Sequence, residues 1–185
     1  MSATVALSAL LLSAFPGAQA PPAASSSLTL GTPEEPGTRL IVNGVVVGPG
    51  GQPIAGARLR VYQTDVTGRY TPERPMDEPH ARLAGWLRTD AQGRFVLRTI
   101  RPGGYRKPVL LNGRKRKIPA HIHLDITAAG YAHRKLQAVF ADDALLQDPY
   151  WKDWVVRLNQ PVLVLRGSGE TAVTDLAVTL QPLRP

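Results

Sequence analysis

The chain has 185 residues, enough for one domain with a hydrophobic core of its own and too few for two domains of ordinary size. It contains no cysteine, which excludes disulfides, thiolate metal ligands and a cysteine nucleophile. The formal net charge of +8 favours anionic partners, and every charged residue follows position 20.

The first 20 residues carry no charged side chain and run apolar from Val5 to Phe15. They end in Ala18-Gln19-Ala20, which fits the small-x-small cleavage site of a secretory signal, although no positive charge precedes the apolar run. We therefore expect a signal peptide over 1–20, cleaved near Ala20, and a secreted or periplasmic protein. The alternative is a disordered apolar tail. No later stretch reaches the ~20 uninterrupted apolar residues that span a bilayer, so no membrane partner is expected.

Residues 21–38 are rich in Pro, Ala, Ser, Gly and Thr, a composition that predicts a flexible leader. From residue 39 to residue 185, short apolar runs alternate with glycine and proline turns. This rhythm predicts an all-β fold, a single-domain β-sandwich of two mostly antiparallel sheets with long active-site loops. The strongest candidates for strands are 40–47, 57–63, 94–99, 120–127, 134–140, 161–166 and 172–181.

Seven cations and no anion lie between residues 101 and 117. They are Arg101, Arg106, Lys107, Arg114, Lys115, Arg116 and Lys117. This run is either a solvated loop or a surface that attracts anionic aromatic substrates. It lacks a series of interleaved aromatic residues on which bases could stack, so nucleic acid is not expected as a partner. Further along, the segment 149–154 predicts one helical turn that packs on the edge of the sandwich.

A His-x-His pair lies in the predicted strand 120–127. Strict alternation puts His121 and His123 on one face of the strand and the apolar residues Ile122, Leu124 and Ile126 on the other. Two imidazoles presented side by side from a rigid strand suit iron, copper, zinc or nickel. The pair by itself does not establish a metal site.

Two tyrosines follow glycine-containing turns. Tyr105 comes directly after Arg101-Pro102-Gly103-Gly104, and Tyr70 comes after Thr67-Gly68-Arg69. Such turns can place a side chain into a cleft, whereas a tyrosine beside a loop more often packs as an ordinary amphipathic residue. The remaining histidines, His80 and His133, lie beside predicted turns and are expected at the surface.

Taken in order, these motifs resemble the catalytic domain of the intradiol ring-cleavage dioxygenases, the family of the catechol 1,2- and protocatechuate 3,4-dioxygenases, in a short secreted form. The resemblance extends over about residues 40–145. Its segments are Val42-Asn43-Gly44-Val45-Val46, Gly51-Gln52-Pro53-Ile54-Ala55-Gly56-Ala57, Val61-Tyr62-Gln63-Thr64-Asp65, Gly68-Arg69-Tyr70, Leu87-Arg88-Thr89-Asp90, Gly93-Arg94-Phe95, Arg98-Thr99-Ile100-Arg101-Pro102-Gly103-Gly104-Tyr105 and Pro119-Ala120-His121-Ile122-His123.

The resemblance implies a non-haem Fe(III) cofactor bound by Tyr70, Tyr105, His121 and His123. It also implies cleavage of catechol or a substituted catechol with O2 to a cis,cis-muconate type diacid. Tyr105 corresponds to the tyrosinate that leaves the iron and accepts a substrate proton. Gln137 corresponds to a glutamine beside the metal centre. The implied partners are a catecholic substrate and O2, and a homodimer is left open.

One position departs from the family. An arginine that supports charge on the substrate usually precedes the Pro-Ala-His-Ile-His segment, and this chain has Ile118 there. Loss of such a preorganised donor costs on the order of 100-fold in rate. Arg116 and Lys117 are the neighbouring cations that could compensate. The alternative function is a transthyretin-like or carboxypeptidase-regulatory-like β-sandwich that binds without catalysis. Such modules share the turn sequences, so the turns do not discriminate between the two functions. The four matched ligands do, because a module used only for binding has no need of them.

Overall fold

The structure is a computed structural model that describes residues 25–105, 108–167 and 169–184. The expected signal peptide over 1–20 and the first four residues of the expected leader lie outside these ranges. Within the described ranges, no helix has the length and apolar character required to cross a membrane.

The described residues form eleven strands, one α-helix and two 3₁₀ helices. In chain order, the strands and the α-helix are β1 (Ser27–Thr29), β2 (Arg39–Val47), β3 (Arg58–Gln63), β4 (Leu83–Arg88), β5 (Arg94–Ile100), β6 (Val109–Leu111), β7 (Arg114–Arg116), β8 (His121–Thr127), β9 (Arg134–Phe140), α1 (Pro149–Arg157), β10 (Val162–Leu163) and β11 (Thr171–Thr179). The 3₁₀ helices are Glu78–His80 and Ala144–Gln147.

Two sheets form the sandwich, with strand orders β1-β5-β2-β11 and β10-β9-β8-β3-β4. The pairs β1–β5, β2–β11 and β9–β10 are parallel. The other pairs, including that of the small β6–β7 hairpin, are antiparallel. The predicted all-β sandwich with mostly antiparallel sheets is confirmed.

The hydrophobic core contains buried residues from both sheets, and period-two alternation selects them. In β3, Leu59 and Val61 are fully buried, while Arg58 points outward and is exposed. In β11, Leu176 and Val178 occupy the same core. One face of each sheet is therefore apolar, and the opposite face is available for polar side chains.

Strand β4 was absent from the strongest predicted strands because Gly85 interrupts its pattern. The structure gives this glycine a packing reason. A Cβ built on Gly85 would lie 2.7 Å from Cδ1 of Leu28, so the glycine gives the Leu28 side chain room to pack on the strand. Sequence alone could not reveal this contact, because Leu28 is far away in the chain.

The expected flexible leader is wrong for residues 25–38. Strand β1 pairs with β5, and Leu30 is buried against the core. Glu35 is 6% exposed and accepts two hydrogen bonds from the Arg82 guanidinium, at 2.7 and 2.6 Å. Two leucines and one bidentate ion pair are enough to order a segment whose overall composition is typical of disorder.

Candidate metal centre

Strand β8 carries the two predicted histidines on the outer face of the five-stranded sheet. Its other face contributes Ile122, Leu124 and Ile126 to the core, as predicted. His121 and His123 are nevertheless only 4% and 6% exposed. Loops and α1 cover this face of the sheet, so both imidazoles are held in an enclosed environment.

The two tyrosines come from loops that glycines hold close to other backbone. Gly68 has a φ of 78°, which turns the chain before Tyr70. A Cβ on Gly104 would lie 2.6 Å from the carbonyl oxygen of Ile118, and the next residue, Tyr105, donates its backbone N–H to that oxygen at 3.2 Å. The glycine therefore allows the Tyr105 loop to approach the segment that leads into β8.

The side-chain donor atoms of the four predicted ligands form one connected cluster. Oη of Tyr70 lies 2.7 Å from Oη of Tyr105 and 2.7 Å from Nε2 of His123. Nε2 of His123 lies 2.9 Å from Nε2 of His121. Residues separated by up to 53 positions in sequence thus present two oxygens and two nitrogens to a common centre.

The backbone selects the tautomer of one histidine. Nδ1 of His121 donates to the carbonyl oxygen of Pro119 at 2.7 Å, which leaves the lone pair of Nε2 directed at the centre. The ring of Tyr62 stacks on His123, with centroids 4.3 Å apart and planes within 6°. A hydrogen bond orients one imidazole, and stacking orients the other.

Burial keeps all four groups uncharged when no ion compensates them. It raises the pKa of Tyr70 and of Tyr105 above the ordinary phenol value. Burial likewise lowers the pKa of His121, and together with the neighbouring His121 it lowers that of His123 to about 2. Neutral imidazole is the form that binds metals, and a bound cation stabilises a phenolate.

The donor set fits a ferric ion. Phenolate oxygen is a hard anionic donor, and imidazole is a general ligand for first-row metals. The donor spacing of 2.7–2.9 Å is close to the ~3 Å between neighbouring ligands that each lie ~2.0–2.1 Å from a metal. Among the described residues, no group of three or more His, Cys, Asp or Glu could hold a metal ion. The four-residue cluster contains two histidines, and two tyrosine phenols supply its other donor atoms.

Glu78 is a member of the site that the sequence did not predict. Oη of Tyr105 donates to Oε1 of Glu78 at 3.0 Å. Glu78 begins a 3₁₀ helix in the loop between Tyr70 and β4, and it belongs to no motif that would mark it. Tyr62 was also missed, although its outward position in β3, directly opposite His123 in the register, was a usable signal.

A cavity of about 340 Å³ opens beside Tyr105 and His121, and we call it the apolar cavity. Helix α1 forms one wall, which confirms and lengthens the helical turn predicted over 149–154. The hydrophobic and aromatic residues of its lining are Met76, Val109, Leu111, Ile118, Tyr150, Trp151 and Trp154. Such a lining suits a flat aromatic ring.

Gln137 lies on the strand next to the histidine pair. It is directly opposite His123 in the β8–β9 register, so both side chains point to the same face of the sheet. Its backbone N–H donates a hydrogen bond to Oε1 of Gln160 at 2.5 Å, and the residue lines the apolar cavity. The structure therefore places Gln137 on the same face of the sheet as His123 and in the wall of the apolar cavity.

Ile118 is buried and lines the apolar cavity, so the position holds a hydrophobic wall. Arg116 is ion-paired with Asp148 at 3.2 Å, and its guanidinium lies 4.0 Å from the ring centroid of Tyr150. Arg116 therefore packs on Tyr150, which lines the apolar cavity. Lys117 is exposed. Neither cation takes the place of a guanidinium at position 118.

The basic run divides into paired and exposed residues. Arg101 binds Asp142 at 2.5 and 2.8 Å, while Arg114 and Lys115 are exposed on the β6–β7 hairpin. Asn112 and Gly113 form the turn of this hairpin, with φ of 48° and 75°, as Asn-Gly turns of this type require. Arg106 and Lys107 lie outside the described residues.

His80 and His133 are exposed, as predicted. His80 bonds to Asp77 and His133 to Asp125, and neither joins the four-residue centre.

Comparison with known proteins agrees with this geometry. A family model described as "Dioxygenase" matches residues 16–179. Catechol 1,2-dioxygenase 2 of Acinetobacter lwoffii is 35% identical over 65% of this chain and 45% of its own length. The protocatechuate 3,4-dioxygenase beta chain of Burkholderia cepacia is 33% identical over 63% of this chain and 51% of its own. The chain thus spans about half the length of these relatives.

The fold also matches solved structures. Catechol 1,2-dioxygenase from Pseudomonas arvilla C-1 superposes with a TM-score of 0.72 at 26% identity, covering 89% of this chain and 59% of that one. The matched family model spans most of the residues that carry the sandwich and all four converging ligands. The chain therefore belongs to the intradiol dioxygenase family.

Proposed function

We propose that the chain binds one Fe(III) through Tyr70, Tyr105, His121 and His123 and cleaves catechol or a substituted catechol with O2 to a cis,cis-muconate type diacid. The observation that carries the proposal is the cluster of two phenol oxygens and two imidazole nitrogens, in which Tyr105, Tyr70, His123 and His121 follow one another at donor-atom distances of 2.7, 2.7 and 2.9 Å. Bound Fe(III) would supply a Lewis acid that the two oxygens of the diol could chelate and that would activate the ring toward O2.

The two tyrosines have different positions relative to the apolar cavity. Tyr70 is 1% exposed and does not line the cavity, whereas Tyr105 is 8% exposed and does. Tyr105 is therefore the phenol that an incoming substrate reaches, and its oxygen is placed to accept a substrate proton. Once protonated, the Tyr105 hydroxyl can donate to Glu78, which then orients it.

The surrounding walls position the ring and keep water out. Ile118 and Trp151 offer apolar surface to a flat ring, and α1 closes the cavity on one side. Gln137 provides an amide that can hydrogen-bond to the substrate or to a group beside the centre. Water exclusion strengthens these polar interactions, because the local dielectric constant falls.

The alternative, a β-sandwich that binds without catalysis, does not account for the buried cluster. Four polar side chains buried around one point cost free energy unless something compensates their desolvation. A bound ion provides that compensation, whereas a surface used only for binding has no need of such a cluster.

The test is the visible spectrum of the iron-loaded protein, before and after catechol is added without oxygen. We expect a tyrosinate-to-Fe(III) absorption band that shifts when catechol binds, followed by oxygen uptake and diacid formation when air is admitted. Tyr105→Phe should weaken the band and abolish turnover. The matched control is Tyr131→Phe, in a tyrosine that packs against the core and lines neither the centre nor the apolar cavity. A colourless protein that releases its iron would refute the proposal and favour the binding module.

We also propose export, which rests on the apolar segment before Ala20 alone. Expression with the complete N-terminus in a bacterial host should give a mature protein in the periplasm or medium that begins near Pro21, as intact mass measures. Retention of the uncleaved chain in the cytoplasm would contradict export.

A further inference from the structure

A second cavity, of about 370 Å³, adjoins the same centre, and we call it the polar cavity. Glu78, Gln137 and Trp154 line both this cavity and the apolar one, so these three residues form the boundary between the two. The polar cavity reaches the centre through His123 and Tyr62, whereas the apolar cavity reaches it through Tyr105 and His121.

The two cavities differ in chemistry. The apolar cavity is walled mainly by aliphatic and aromatic side chains. Away from the boundary and His123, the polar cavity is lined by the polar residues Tyr62, Asp125, Lys135 and Gln160 and by Leu124, Leu136 and Leu158. A ligand with a hydrophobic part and a hydrogen-bonding part could place the first in the apolar cavity and the second in the polar cavity.

Asp125, the carboxylate of the polar cavity away from the boundary, already has partners. Asp125 lies 3.6 Å from Nζ of Lys135 and is also bonded to His133. With Asp125 paired, the Tyr62 hydroxyl and the Gln137 and Gln160 amides are the uncharged polar groups of this cavity, and they match an uncharged hydroxylated group.

The size of the cavities points to a ligand larger than catechol. Pockets for drug-sized ligands typically measure ~300–1,000 Å³, and each of these cavities alone falls within that range. A single six-membered ring would use one of them and leave the other filled with water.

We propose that the polar cavity is a substrate subsite, and that the preferred substrates are catechols whose ring carries a second, uncharged hydroxylated ring. The diol ring lies in the apolar cavity, and the second ring passes the Gln137–Trp154 boundary into the polar cavity. This inference rests on the proposed function for the reaction, but binding in the polar cavity can be measured without it.

The blocking variant is Leu158→Trp. Leu158 caps the C-terminal end of α1 and lines the polar cavity but not the apolar one. An indole there fills space in the polar cavity only. The matched control is Val156→Trp, which adds the same group at a position two residues away that is 80% exposed and lines neither cavity.

The experiment compares two substrates, catechol and 4-(4-hydroxyphenyl)catechol, on the iron-loaded full chain. We expect kcat/KM to favour the two-ring compound, and Leu158→Trp to lower that preference by about tenfold or more while Val156→Trp leaves it unchanged.

In parallel, calorimetry on the same proteins measures binding of 4,4′-dihydroxybiphenyl, which has two hydroxylated rings but no vicinal diol to chelate iron. Its affinity should fall about tenfold in Leu158→Trp and not in Val156→Trp.

The outcomes separate the two proposals. If catechol is cleaved but Leu158→Trp changes neither the preference nor the biphenyl affinity, the subsite is refuted and the dioxygenase stands. If no catechol is cleaved, the proposed function fails, and the calorimetry still decides on the subsite: a loss of biphenyl affinity confined to Leu158→Trp supports it, and equal affinity in all three proteins overturns it.

Discussion

The two faces of β8 are built from adjacent residues, yet different physical forces hold their surroundings together. On the inner face, Ile122, Leu124 and Ile126 are at most 2% exposed and pack against apolar side chains of both sheets. On the outer face, His121 and His123 are buried almost as deeply, but His123 contacts the hydroxyl of Tyr70 and His121 bonds to the carbonyl oxygen of Pro119. Both faces exclude water to a similar degree.

The comparison shows that burial has opposite consequences on the two faces. On the inner face, removal of apolar area from water stabilises the fold. On the outer face, burial costs free energy, because imidazole and phenol groups lose hydration and retain only a few hydrogen bonds. The inner face should therefore determine stability, and the outer face should determine metal binding with little benefit to the stability of the metal-free chain.

The largest expected effect is the loss of metal binding when a histidine is removed. His121→Ala and His123→Ala each remove one of the four proposed ligands, and we expect the proposed catechol cleavage to fall by at least about 100-fold. The free energy of unfolding of the metal-free protein should change by less than about 1 kcal/mol, because a neutral group that was costly to bury is gone. Iron analysis and chemical denaturation measure the two quantities. Full iron content in both variants would contradict the ligand assignment.

The reverse effect is expected on the inner face. Leu124→Ala removes a fully buried side chain next to His123, and it should lower the free energy of unfolding by about 2–5 kcal/mol. Iron content per folded chain should stay unchanged at a temperature where the variant is folded. Loss of iron from the folded variant would show that the two faces are not independent.

The difference between the faces also explains what the sequence could predict. Alternation along β8 places its residues correctly, because a strand has a period of two whatever surrounds it. The same rule predicts that Leu59 and Val61 lie in the core. Glycine turns before Tyr70 and Tyr105 mark places where a side chain can enter a cleft, and the resemblance to a family then pairs them with the histidines.

Long-range contacts were the part that could not be predicted. The bond from Tyr105 to Glu78 joins two loops whose relative positions depend on the whole sandwich. Likewise, the composition of residues 25–38 indicates disorder, while their order depends on Arg82, 47 positions after its partner Glu35. Local propensity contains no information about such partners. The Asn112-Gly113 hairpin was different, since its turn signal was present in the sequence.

The Glu35–Arg82 pair offers a third test, on the segment that covers the edge of the sandwich. The hydrogen-bonded Arg82 guanidinium holds the pKa of Glu35 below its ordinary value of 4.5. A lowered carboxyl pKa stabilises the fold at pH values above the ordinary value, and this contribution is lost as the pH falls through the lowered one. At neutral pH, Glu35→Gln should therefore lower the free energy of unfolding by about 1–3 kcal/mol.

The difference between wild type and Glu35→Gln should narrow as the pH is lowered below 4.5, which denaturation at a series of pH values measures. Glu34→Gln is the matched control, since the neighbouring Glu34 is exposed and should give no such difference at any pH. A difference that stays constant with pH would show that the ion pair does not anchor the segment.

The smallest expected effect concerns Gln137, which lies on the outer face but is not a ligand. Gln137→Ala should leave iron content and the absorption band of the resting protein unchanged and lower kcat/KM for catechol by about tenfold. The control is Gln181→Ala, at an exposed position after β11. If KM rises while kcat is kept, the amide contributes to binding of the ring, and if kcat falls at constant KM, it acts on the reacting state. Unchanged kinetics would show that the Gln137 amide does not contribute to catalysis. The buried polar groups of the outer face would then act only by binding the metal.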